Sequence, residues 1–88
     1  MKDFAKDIIR QLFGFSKARA GEIMFSRLTV SRMNEYGISG KTLQNVFRFG
    51  IEKKPGMIIQ KFHEYSVGIY YKYDHAEGKY LITTCWKQ

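Results

Sequence analysis

The sequence predicts an α+β fold in which N-terminal helices pack on one face of a three- to four-stranded antiparallel sheet. Two observations predict it. From Met57 to Lys87 the chain is dense in Ile, Val, Tyr, Phe, Thr and Trp, which suit a pleated surface, and turn formers cluster only at His63 to Ser66 and at Asp74 to Gly78. Ahead of that ribbon, apolar residues recur instead at three- and four-residue spacing, the period of a helix with one buried side. A chain of 88 residues has room for one core, so 1–88 reads as a single domain, with an N-terminal helical extension over 1–24 and an α+β core over 25–87.

The first element is an amphipathic helix over 3–13. Phe4, Ile8 and Leu12 form its apolar stripe, Lys6, Asp7 and Arg10 interleave, and Gly14 stops it. Its expected job is to cover the sheet. The alternative is a membrane-surface or partner-binding helix, which Asp3 and Asp7 weaken. Lys17 and Arg19 follow on a turn or short helix, available for phosphate contacts or simply solvated. Ile23, Met24 and Phe25 read as a short extended entry to a second helix through Leu28, Val30 and Met33, ended by Gly37. Ser39 or Gly40 caps a third helix whose stripe is Leu43, Val46 and Phe47 and whose stop is Gly50. Ile51 to Lys53 can add a fourth strand, and Pro55-Gly56 turns the chain into the ribbon.

Within the ribbon, a hairpin closed at His63 to Ser66 sets Phe62 opposite Val67, Gln60 opposite Ile69 and Ile58 opposite Tyr71 on an apolar face. Lys61, His63, Ser66, Tyr70 and Lys72 then share the other. Continuing the alternation through the last strand sends Leu81, Thr83 and Cys85 to the apolar face and Tyr80, Ile82, Thr84 and Trp86 to the polar one. A slip of one residue reverses that strand. Cations, hydroxyls, an imidazole and flat rings on one face suit single-stranded RNA, because ammonium groups meet phosphates while rings stack on unpaired bases. The alternative is a solvated face with tyrosines packed across strands.

A net charge of +7 points to a polyanionic partner, nucleic acid first and an acidic protein second. Cys85 is the only cysteine, so the chain folds without an internal disulfide. A zinc site from His63, His75 and Cys85 is disfavoured because no ligands are paired at short spacing, and neither metal nor cofactor is expected. No apolar run approaches the length of a membrane span, and the N-terminus lacks the apolar stretch of a signal peptide. The expected site of action is the cytoplasm, reached directly or as the C-terminal fragment of an exported protein.

The run SRLTVSRMNEYGISGKTLQNVFRFG, followed by strands and ending in ITTCW, resembles the DUF4258 family, whose usual wording is a His, then Arg-Met, then Glu-Arg-Gly-Ile-Ser, a helix and a Gly. The matching letters are Arg32, Met33, Glu35, Gly37, Ile38, Ser39 and Gly50, with Thr84 near the family's C-terminal strand threonine. The resemblance spans Phe25 to Trp86. Relatives of that family are associated with the barnase, EndoU, colicin and RelE-like ribonucleases, including toxin-antitoxin proteins and the toxic tips of contact-dependent inhibition systems. It therefore implies a metal-independent endoribonuclease of toxin type, cutting tRNA or mRNA and controlled by an acidic antitoxin or immunity protein. Two letters depart. The family's His falls at Leu28 and its Arg before Gly-Ile falls at Tyr36, so either the acid-base work has moved or this chain does not cleave.

Metal-free RNA cleavage needs a base for the 2′-hydroxyl, an acid for the departing 5′-oxygen and cations for the phosphate. His63 is the candidate acid or base, since an imidazole titrates near about 6.5; a polar turn residue is its alternative, and His75 reads as loop surface. Arg32, in the family's Arg-Met pair, is the candidate phosphate clamp, because a guanidinium grips two oxygens. Its alternative is an ion pair with Glu35. Lys72 adds electrostatic support and Thr84 a hydroxyl to orient the reacting groups. Lys61, Arg27, Tyr70 and Trp86 are candidate RNA-binding residues, the rings by stacking on bases, although burial is the commoner fate of a tryptophan. The remaining readings are a catalytically inactive RNA-binding module and a protein-interaction domain that docks an acidic partner.

Overall fold

The computed structural model describes residues 19–88. The helix expected over 3–13, with Lys17, lies outside the described residues. Five strands and two helices follow in the order β1 (Ile23–Phe25), α1 (Arg27–Tyr36), α2 (Gly40–Phe49), β2 (Ile51–Lys54), β3 (Met57–Lys61), β4 (Ser66–Asp74) and β5 (Lys79–Lys87). The strands form one sheet in the order β1-β5-β4-β3-β2. This corrects the expected architecture in three ways. The sheet has five strands, and it is mixed, because Ile23, Met24 and Phe25 pair in parallel with Tyr80, Leu81 and Ile82. The two described helices also follow a strand instead of preceding the sheet. In three residues without polar alternation, nothing in the sequence distinguishes a paired strand from an extended entry.

Both helices begin on a serine. Ser26 accepts a hydrogen bond from the Thr29 N–H and Ser39 from the Thr42 N–H, each at 3.0 Å, satisfying donors that the first helical turn leaves free. Gly37 closes α1 in the left-handed region at φ 71°, where a side chain would be strained. Gly50 closes α2 differently. Its φ is −71°, which any residue adopts, but a Cβ there would stand 2.6 Å from Ile58 Cγ2 and 2.7 Å from the Val46 carbonyl oxygen. Glycine is needed at this position because helix and strand approach closely. Arg19 completes the end of α2, its guanidinium donating to the carbonyls of Phe47 at 2.9 Å and Gly50 at 3.1 Å. That cation is committed to the fold, which removes it as a free phosphate contact.

The core lies between the helices and one face of the sheet. Leu43, Val46 and Phe47 of α2 pack with Ile38 onto Ile58, Val67, Ile69, Ile82 and Cys85, all buried. Tyr71 and Tyr80 flank it, their rings 5.4 and 5.1 Å from that of Phe47. Thr29 is the buried polar side chain of α1, and its hydroxyl donates to the Ile82 carbonyl at 2.6 Å. Ser26 Oγ reaches the Thr83 carbonyl at 2.8 Å, so two hydroxyls tie the start of α1 to β5.

Register decides which side chains share a face. The first hairpin pairs Lys61 with Ser66, Gln60 with Val67 and Ile58 with Ile69, two residues away from the expected pairing. A shift of two keeps every side chain on its expected face. The four-residue loop from Phe62 to Tyr65 makes the difference, closed by the Phe62 N–H on the Tyr65 carbonyl at 2.7 Å. In β5 the outcome is split. Tyr70 pairs with Thr84 but Tyr71 with Ile82, leaving Thr83 as the extra residue of a β-bulge. Beyond it Cys85 faces the core and Thr84 and Trp86 the opposite side, as expected. Before it the expectation is reversed, with Ile82 and Tyr80 on the core side and Leu81 on the other.

Candidate nucleic-acid interface

Neither described helix packs against the second face of the sheet. Cross-strand partners point the same way in a sheet, so the pairings assign this face row by row. Across β3, β4 and β5 the rows are Met57, Tyr70 and Thr84, then Ile59, Gly68 and Trp86, with Lys61 and Ser66 at one end and Lys72 and Leu81 towards the other. Met24 joins beside Leu81, and Lys54 beside Met57. The floor is apolar and half-buried, and its edges carry ammonium groups.

Its centre is an aromatic pair. The rings of Tyr70 and Trp86 lie 5.3 Å apart at 40°. Gly68, opposite Trp86, is why the indole fits. A Cβ at Gly68 would stand 2.1 Å from Trp86 Cζ2 and 2.4 Å from Cε2, so the ring rests directly on the β4 backbone. Tyr70 remains more than one-third exposed beside it. No family model, curated protein or solved structure matches the chain. The functional reading therefore rests on the chemistry of this face and on the residues themselves.

Five candidates meet on it: Lys61, Tyr70, Lys72, Thr84 and Trp86. Three do not. His63 sits exposed in the loop between β3 and β4, beyond the Ser66 end of β4. Lys72 is six residues along that strand from Ser66, about 20 Å at roughly 3.3 Å per residue. Arg27 and Arg32 belong to α1, in the helical layer. Burial pushes the Cys85 thiol up, and the Arg32 guanidinium in that layer offsets this in part. The expected catalytic set of His63, Arg32, Lys72 and Thr84 therefore does not form one cluster: strand length separates His63 from Lys72, and the sheet stands between Arg32 and the other two. His75 packs edge-on against Tyr73 at 4.9 Å, in the loop after β4.

Sequence reasoning missed two features. Gly68 is one, and its signal is that a glycine inside a strand often marks a close approach. Glu52 also escaped notice. Its Oε2 accepts from the Gly56 N–H at 3.0 Å and from the Tyr71 hydroxyl at 2.8 Å. The backbone donor first, then the phenol, hold this carboxyl below its usual value. Burial, then the bond to Glu52, push the Tyr71 phenol up. This pair stiffens the β2–β3 turn and lies on the core side with Tyr71, away from the aromatic pair.

An open groove of about 470 Å³ runs along the outer side of α2, lined by Lys41, Thr42, Asn45, Arg48 and Phe62 among others. Arg48 already donates to the carbonyls of Arg19 and Gly21, so this groove offers less free charge than the sheet face. Among the described residues, no helix is long and apolar enough to cross a membrane. No group of three or more His, Cys, Asp or Glu side chains is arranged to hold a metal ion among them either.

Proposed function

We propose that this protein acts on RNA, binding a single strand across the sheet face that neither described helix covers. The observation that carries the reading is the Tyr70–Trp86 ring pair flanked on one face by Lys54, Lys61 and Lys72. Rings take unpaired bases of any sequence, and ammonium groups track the phosphates. Three phosphate contacts at about 0.7 each give a log-log salt slope near −2, or about a 20-fold loss of affinity between 50 and 200 mM salt. Fluorescence anisotropy with labelled single-stranded and duplex RNA at both salts tests this. A preference for the single strand with that slope is expected; equal affinity for both, or insensitivity to salt, rejects the reading.

Cleavage is the second reading: 2′-hydroxyl attack in tRNA or mRNA without metal, silenced by an acidic antitoxin or immunity protein, as the DUF4258 resemblance implies. One juxtaposition favours it. Tyr70 and Thr84 are direct cross-strand partners, and Lys72 follows Tyr70 on the same face. As the 2′-oxygen bonds to phosphorus its proton passes to solvent water, the bond to the 5′-oxygen breaks and a phenol protonates that departing oxygen, while an ammonium holds the phosphate and a threonine hydroxyl orients it. This moves the acid role from His63, and the phosphate clamp from Arg32, to the sheet face. Total RNA incubated with the protein in a chelator should yield discrete new 3′ ends that Lys72→Ala or Tyr70→Phe removes and His63→Ala retains. Intact RNA leaves the binding module standing alone.

A further inference from the structure

We infer that Gly68 is a positioning residue: by having no side chain it lets Trp86 lie flat on β4 as a platform for one unpaired nucleobase, so that the ligand is recognised by an exposed base as well as by its phosphates. The inference rests on the RNA reading above and deepens it. Three benzo-ring carbons of Trp86, Cζ2, Cε2 and Cη2, would stand 2.1, 2.4 and 2.7 Å from a Cβ at position 68. No real side chain tolerates such contacts, and the β4 backbone is fixed by strands on both sides. One indole face is therefore spent on the glycine, and a base can reach only the other. Tyr70, tilted at 40° beside it, walls one side, and Ile59, in the same row on β3, continues the floor.

A purely structural role competes with this, because an aromatic ring across from a glycine also stabilises a sheet by covering bare backbone. The two roles separate on a base-dependent readout. The probes are a decamer of single-stranded oligouridylate and a decamer of the same ribose-phosphate backbone without bases. Stacking adds about 1–3 kcal/mol per base, so the wild-type chain should bind the first about 5- to 150-fold more tightly than the second, with quenching of Trp86 emission by the first only. Gly68→Ala should lose that ratio and the quenching while keeping the salt slope, which counts phosphate contacts.

Trp86→Leu should lose the same ratio, and Gly68→Ala added to it should cost no further affinity, since the ring it displaces is gone. Should Gly68→Ala alone fail to fold, recovery of the fold in the Trp86→Leu background ties the glycine to the ring, and the base-dependent ratio of Trp86→Leu then decides the platform. A chain that stays unfolded in that background overturns the inference, as does a Trp86→Leu variant that still prefers oligouridylate over the bare backbone. Failure of the wild-type chain to bind either decamer ends the RNA reading itself, a different result from binding both equally, which removes only the platform.

Discussion

Replacing Gly50 with alanine tests why a glycine ends α2. The new methyl would meet Ile58 Cγ2 at 2.6 Å, the Val46 carbonyl oxygen at 2.7 Å and the Ile59 carbonyl oxygen at 3.1 Å. None of these can yield cheaply: Ile58 is fully buried, and the Val46 carbonyl is fixed by the Gly50 N–H at 2.8 Å. Overpacking of this kind costs up to about 3 kcal/mol. Loss of glycine entropy in the unfolded chain returns about 0.5–1 kcal/mol. The net is about 2 kcal/mol, or about 8–16 °C in Tm for a domain of this size. Gly37 supplies the control. Nothing lies within 4 Å of a Cβ there, so Gly37→Ala meets only the left-handed backbone penalty at φ 71°, about 1–2 kcal/mol. Asparagine tolerates that region and should recover much of the loss at 37, but none at 50. Urea unfolding followed by circular dichroism, with an unchanged slope, reads all four variants. Wild-type stability in Gly50→Ala, or rescue by Gly50→Asn, would refute the close-approach explanation.

Thr29→Val keeps the shape of a buried side chain but deletes the donor to the Ile82 carbonyl, which retains the Ser26 N–H at 3.1 Å. A loss of about 1 kcal/mol is expected in the same urea assay, and a neutral variant would show that the hydroxyl adds nothing beyond filling space. Gln60 has a buried side-chain oxygen without a hydrogen-bond partner, so Gln60→Met should raise the urea midpoint, by up to about 1 kcal/mol; a lower midpoint would mean that the amide is satisfied in solution. Stability should also depend on pH at both ends. Glu52 is held low in the fold, so its contribution is present above about 4.5 and is lost as pH falls through the folded value. Tyr71 is held high, so its contribution is whole below about 10 and is lost as pH rises beyond it. Glu52→Gln should flatten the acid limb of the urea midpoint against pH and Tyr71→Phe the alkaline one; limbs unchanged in these variants would place the titrating groups elsewhere.

Periodicity carried the helices well. Ser26 and Ser39 sit where a chain needs caps, and Leu43, Val46 and Phe47 have no other way to be buried together. Alternation carried β3 and β4 to the correct faces even though the pairing shifted by two, because the period of a strand forgives an even error. It could not carry β5. In Leu81-Ile82-Thr83-Thr84-Cys85-Trp86 either parity gives a mixture of apolar and hydroxyl side chains, so the sequence does not mark the bulge that lets Ile82 and Cys85 face the core together. The shared sheet face was legible where it depended on strand parity, through Lys61, Tyr70, Lys72, Thr84 and Trp86. His63 and Arg32 depended on how loops and layers are arranged in space, which no local pattern encodes.

The parallel pairing of β1 with β5 has a consequence for how the chain is made. Ser26 waits for Thr83, 57 residues later, before its hydroxyl finds that carbonyl. At about 5–20 residues per second, synthesis takes roughly 3–11 s to cover that distance. During those seconds the α1 threonine and the edge of β4 are without the strand that joins them. A chain stopped before Lys79 would lack the strand that pairs with both β1 and β4, so the described sheet cannot close until β5 has been made.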